Sequence, residues 1–160
     1  MNKFKKVIIL LGLLFIYVLI STINYVQATA SNISNEVFRL HVIANSDSNE
    51  DQNLKYIVRD EVLNYVKTIS VNAGSKEEVI SLVKENSDNI KEIAKNTIIN
   101  EGFNYDVNIS IGNFSFPTKE YGDISLPSGF YDALRIEIGN ASRTKLVVCD
   151  VPASLLCWYN

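Results

Sequence analysis

The stretch Phe38 to Asp51, F-R-L-H-V-I-A-N-S-D-S-N-E-D, constrains the fold more than any other part of this chain. Val37 to Ala44 reads as a buried strand, with Phe38, Leu40, Val42 and Ala44 on one face. Asn45, Ser46, Asp47 and Ser48 follow at once, and all four are residue types that cap helix N-termini. A strand therefore hands over to a helix through a short corner. Ser48 with Asp51 makes a capping-box variant. The helix beyond it carries Leu54, Ile57, Val58, Val62, Tyr65, Val66 and Ile69 on one stripe, at spacings of three and four.

After Gly74, Ser75 and Glu78 form a capping box of standard type. Val79, Leu82, Val83, Ile90, Ile93, Ala94 and Thr97 continue a helical stripe, which Asn86-Ser87-Asp88 divides in two with Ser87 as the cap. Gly102 is a C′ stop. Tyr105, Val107, Ile109 and Ile111 alternate with polar residues as a half-buried strand, and Leu134, Ile136 and Ile138 do the same. Between the two strands, Phe116 to Gly129 is punctuated by proline and glycine and reads as a long loop of the kind that carries function. The expected fold is a single α+β domain, a mainly antiparallel sheet with two or three helices on one face.

The first thirty residues stand apart from that domain. Lys3, Lys5 and Lys6 precede an unbroken apolar run from Val7 to Ile20. Val26-Gln27-Ala28 and Ala28-Thr29-Ala30 both suit cleavage of a signal peptide. Val7 to Val26 also approaches the length of a spanning helix, so a retained anchor fits as well. Both readings place the remainder outside the cytoplasm. The leader holds three of the 15 basic residues and no acid, so residues 31–160 carry 12 basic and 18 acidic side chains, a net charge of −6. That balance argues against a nucleic-acid partner and gives no attraction to an anionic membrane surface.

Chemistry-bearing motifs are sparse. His41 is the single histidine, with no His or Cys at metal-ligand spacing, and is expected to face solvent or make one structural hydrogen bond. Asp47, Ser48, Glu50 and Asp51 lack the glycine of an EF-hand loop and are explained by capping. Asp60 and Glu61 beside Arg59 read as a solvated helix face, and no glycine-rich phosphate loop is present. No cofactor or metal is expected. Lys119, Tyr121 and Arg135 are residue types that dominate interface hot spots. Two other classes of function stay open on these residues. One is an exported hydrolase using His41 with Asp47 or Asp60. The other is a leader-anchored structural protein of the cell envelope.

F-R-L-H-V-I-A-N-S-D-S with D-Q-N-L-K-Y-I-V-R-D, then F-P-T-K-E-Y-G, then L-P-S-G-F-Y-D-A-L-R-I-E-I-G, together resemble the stage II sporulation protein R family, in order, from about Val37 to Gly139. The resemblance implies a non-enzymatic signalling protein made in the forespore and exported into the space between two membranes. There it would activate a membrane-embedded aspartic protease of the mother cell that processes pro-sigma-E. It also implies a surface that recognises the exported part of that protease. Matching positions nominate Arg39, His41, Asn45, Asp47, Asp51, Arg59 and Asp60 from the first block, and Lys119, Tyr121, Gly122 and Arg135 from the loop and the strand after it. Asn45 and Asp47 suit structural work, Gly122 suits a turn, and the loop residues are the better candidates for contact.

Residues 143–160 depart from that family, whose tail runs like G-x-N-W-W-C-V-M-F-P-P-L-C-F. One choice of codons for Thr144 to Tyr159, read one nucleotide along, gives Q-N-W-W-C-V-M-F-P-P-L-C-Y-V-G. The reading that follows is a single-nucleotide frameshift near Ser142. Cys149 and Cys157, which an exported chain could otherwise pair, then become accidents of the frame. The expected organisation is a leader or anchor at 1–30, an exported domain at 31–142 and an atypical tail at 143–160.

Overall fold

A computed structural model describes residues 3–121, 124–140 and 149–152. Helix α1 (Lys3–Glu36) leads almost directly into strand β1 (Phe38–Ile43). Helices α2 (Asn49–Ser70), α3 (Lys76–Glu85) and α4 (Ser87–Asn100) follow, then β2 (Val107–Phe116), β3 (Lys119–Tyr121), β4 (Ile124–Leu126), β5 (Gly129–Ile138) and β6 (Cys149–Pro152). The main sheet has the order β2-β5-β1-β6. β1 and β5 are parallel, with Leu40 beside Leu134 and His41 beside Arg135. The other two pairings, β2 with β5 and β1 with β6, are antiparallel. The fold is α+β, as the alternation of patterns implies. A parallel β1–β5 pair requires a long crossover, and the three helices with β2 supply it.

The helix boundaries follow from side-chain chemistry. Ser48 Oγ accepts from the Asp51 N–H at 3.2 Å and starts α2, and Ser75 Oγ accepts from the Glu78 N–H at 3.2 Å and starts α3. Glu78 reaches back to the Gly74 N–H at 2.7 Å. The stripe does break between α3 and α4, but Asn86 occupies the N-cap position and Ser87 is the first helical residue. The Asn86 side-chain amide instead donates to Leu82 O and its oxygen accepts from Tyr65. Gly102 stops α4 at φ +84°, with Gly102 N bonded to Ile99 O and Phe103 N to Ile98 O.

One face of the sheet packs on the helices. Phe38, Leu40, Val42, Leu134, Ile136 and Ile138 meet Leu54, Val58, Val62, Val66, Val79, Val83, Ile90, Ala94 and Ile98 in one core. Ile57, expected on the buried stripe, lies at the surface, because residues 54, 58, 62 and 66 already fill the narrow line facing the sheet. The opposite face carries a second, smaller cluster of Val37, Phe116, Leu126, Tyr131 and Ala133, with Ile33 at the end of α1 packed against it.

That second cluster explains the segment expected to be one long loop. β2 runs on to Phe116 rather than stopping near Ile111, and β3 and β4 pair as a small hairpin, Lys119 opposite Leu126. Leu126 is the apolar residue that pins the hairpin to the sheet, and Tyr131 Oη donates to Pro127 O at 2.7 Å beside it. The atypical tail lies outside the described residues except for Cys149–Pro152, whose backbone pairs with β1. Cys157 falls outside them altogether.

Candidate functional site

Alternation along β1 and β5 sends Leu40 and Leu134 toward the helices and Arg39, His41, Ala133 and Arg135 to the other side. Arg39 is 0 % exposed. Its guanidinium lies 4.1 Å from the centroid of the Phe116 ring and 4.9 Å from that of Tyr131. Its Nη2 donates to Tyr121 Oη, on the hairpin, at 3.3 Å. A desolvated cation over two rings is held by the ring quadrupoles, an interaction of about 2 kcal/mol where water is excluded. Arg39 therefore fastens three strands, β2, β3 and β5, from beneath.

His41 does not face solvent. It is 7 % exposed, with its ring centroid 5.5 Å from that of Phe116 in an edge-on arrangement. The expectation of an exposed ring assumed a sheet with one covered face, whereas hairpin and α1 cover the second. Burial, and then the charges of Arg135 and Arg39, lower the His41 pKa to about 4, so the imidazole is neutral at neutral pH. Lys55 of α2, fully buried and donating to Gln52 Oε1 at 2.6 Å, adds to the same positive field. Arg135 lies 5.5 Å from the Phe114 ring and pairs with Glu137 at 2.9 Å, while Glu137 also accepts from Asn108 at 3.1 Å. Four nominated residues thus share one face: Arg39, His41, Tyr121 and Arg135.

The other nominees sit elsewhere. Asn45 and Asp51 build the β1–α2 corner. Asn45 Nδ2 donates to Asp51 Oδ2 at 3.0 Å, Ser46 Oγ donates to the same oxygen, and Asn45 Oδ1 accepts from Asn140 N at 3.0 Å. Asp51 is 3 % exposed. Burial raises its pKa, but the hydrogen bonds from Ser46 and Asn45 outweigh that and leave it below the usual carboxylate range. Gly139, at φ +61°, turns the end of β5 over Asn45, and a Cβ there would collide with the Asn45 amide. Asn45 and Asp51 are thereby structural. Asp47 is exposed on the corner. Arg59 and Asp60 pair with each other at 2.6 Å on the outer side of α2, with Arg59 over the Tyr56 ring. Lys119 is exposed at the start of the hairpin, and Gly122 lies outside the described residues.

Neither Asp47 nor Asp60 touches His41, which packs on Phe116. Among the described residues, no three His, Cys, Asp or Glu side chains come together to hold a metal ion. The sequence reading missed the aromatic bed itself, Phe114, Phe116 and Tyr131, together with Lys55 and Glu137. Alternation of Ile109, Ile111, Phe114 and Phe116 across Gly112 changes face midway, which hid the continuation of the strand. Helix α1 holds a 23-residue segment, Lys3–Tyr25, long and apolar enough to cross a membrane.

The family model for stage II sporulation protein R matches residues 34–150. Stage II sporulation protein R of Bacillus subtilis (strain 168) is 39 % identical over 108 residues, covering 68 % of this chain and 48 % of that protein. The match thus spans about half the length of the relative. No solved structure matches. The chain belongs to the stage II sporulation protein R family.

Proposed function

We propose that this member of the stage II sporulation protein R family is an exported signalling protein, made in the forespore and delivered into the space between the two membranes. There it activates the membrane-embedded aspartic protease that processes pro-sigma-E. The observation that carries the reading is the family match across the whole folded domain, placed directly after a helix able to enter a membrane. The protein acts by contact rather than catalysis, and it touches the membrane only through its N-terminal segment, cleaved or retained.

The contact is assigned to the hairpin side of the sheet. Lys119 and the outward edge of Tyr121 meet the exported part of the protease, with Arg135 at the flank. Arg39 and His41, being buried, hold that surface in shape and do not touch the partner themselves. Asp47, exposed on the β1–α2 corner, and the Arg59–Asp60 pair on α2 are not part of the hairpin. Recognition of one protease conformation better than another is sufficient for activation.

The test is coexpression of the chain with the protease and pro-sigma-E in a non-sporulating host, beside a version carrying the shifted-frame tail. Pro-sigma-E cleavage is read on a gel. Cleavage with either version is the expected result. Cleavage by the shifted version alone marks residues 143–160 as a defective tail. No cleavage by either, with all chains expressed and exported, overturns the activator reading. Sequencing the gene settles the tail independently, since the shifted frame must contain the two adjacent Trp codons.

A further inference from the structure

The main sheet has two edges, and they are built differently. Among the described residues β6, Cys149–Pro152, forms one edge and ends on Pro152, which has no N–H to offer. The small hairpin sheet has three-residue strands and carries Lys119 and Glu120. Shortness, charge and proline are the ordinary guards against addition of a foreign strand.

β2, the other edge, has none of them. It is ten residues long, V-N-I-S-I-G-N-F-S-F, without a charged residue or a proline. β5 pairs with its inner side along the full length, from Val107 opposite Ile138 to Phe116 opposite Gly129. Among the described residues no strand pairs with its outer side. Alternate residues of β2 therefore present N–H and C=O outward. The side chains at this edge are also incompletely covered. Ile109, Ile111 and Phe114 are half-buried, whereas their direct neighbours on β5, Ile136, Leu134 and Tyr131, are 0–1 % exposed.

We propose that β2 pairs antiparallel with β2 of a second copy of this chain, joining two four-stranded sheets into one eight-stranded sheet about a twofold axis near Ile111 and Gly112. Three features select a second copy. The strand is uncharged although residues 31–160 carry a net charge of −6, so it is a surface where two copies meet without repulsion. Antiparallel pairing brings the Asp106 end of one strand toward the Lys119 end of the other, twice by symmetry; both residues are exposed, and Asp106, already 3.1 Å from Lys95 Nζ, keeps carboxylate surface open to a second cation. Parallel pairing would instead set Asp106 beside Asp106. A twofold contact also closes on itself and leaves no further edge to propagate. The proposal goes beyond the activator reading and is read without the protease.

The experiment uses the full chain in host membranes with Cys149→Ser and Cys157→Ser. Gly112→Cys is introduced near the axis, where a Cβ meets only the Phe114 ring, at 3.7 Å. Lys91→Cys, on the exposed side of α4, reports random collision and any association through the leader. After mild oxidation, Gly112→Cys is expected to give at least fivefold more disulfide-linked dimer than Lys91→Cys. Adding Asn113→Lys, or Ser115→Lys as a second exposed position, is expected to cut that yield at least fivefold with unchanged thermal melting. Equal yields from Gly112→Cys and Lys91→Cys overturn the proposal. So does a Gly112→Cys yield that both lysine variants leave intact.

Discussion

On the helix-covered face of the sheet, Leu40, Val42, Leu134 and Ile136 meet Val58, Val62, Ile90 and Ile98 through aliphatic contacts. On the opposite face Arg39 and His41 are also buried, but their neighbours are Phe116, Tyr131 and Tyr121. Aliphatic packing is non-directional, and it supplies stability in proportion to the area removed from water. A guanidinium between two rings and a phenol is directional, since its attraction depends on ring faces and donor angles. The first face holds the domain together. The second fixes where a hairpin of two three-residue strands lies, on the surface assigned to partner contact.

The largest effect belongs to the first face. Ile136→Ala, at a position 0 % exposed, is expected to cost about 3–4 kcal/mol, read by denaturant unfolding of the chain in detergent. An effect under about 1 kcal/mol would mean that this core is not the main source of stability.

Acid distinguishes the second face from the first. The His41 pKa is lowered from 6.5 to about 4, so the folded protein disfavours the proton that the unfolded chain accepts. Its contribution is fully present above pH 6.5 and is lost as pH falls from 6.5 through 4. At about 1.4 kcal/mol per unit, the loss approaches roughly 3 kcal/mol. Asp51 and Asp132 also have lowered pKa values, but from 3.8, so their contributions are lost below that value. His41→Gln should flatten the stability profile between pH 6.5 and 4, and an unchanged slope would assign the titration to another group.

Arg39→Met keeps the length of the side chain and removes the charge. It is expected to cost about 2 kcal/mol and to speed amide hydrogen exchange in residues 116–131 while leaving α2 and α4 protected. Uniform loss of protection would show that the two faces are one cooperative unit. Tyr121→Phe removes one 3.3 Å hydrogen bond and is the smallest change, about 1 kcal/mol or less by melting.

Much of the helix-covered face was legible in the sequence because helical spacing and strand alternation both encode one-sided burial. Leu54, Val58, Val62, Leu134 and Ile136 follow directly from pattern. Two capping serines and Gly102 were equally readable, since each performs a local backbone task. Arg39 and His41 were not, because polar residues alternating on a strand normally face water, and it is the non-local hairpin and the end of α1 that cover them. The Asp51 N–H does donate to the Ser48 cap, while its carboxylate is taken by Asn45 and Ser46 across the corner, which local pattern does not reveal. The parallel β1–β5 pairing is likewise long-range and has no local signature.

The most direct measurement of the central claim is pro-sigma-E cleavage by the coexpressed protease with Lys119→Ala and Tyr121→Ala set against Arg59→Ala and Asp47→Ala. All are placed in the tail frame that supports cleavage, and each variant's melting temperature is checked. The account predicts at least tenfold less cleavage for the two hairpin variants, with folding retained, and near-normal cleavage for the two on the α2 side. Normal cleavage with both hairpin variants, or loss confined to Arg59→Ala and Asp47→Ala, would contradict it.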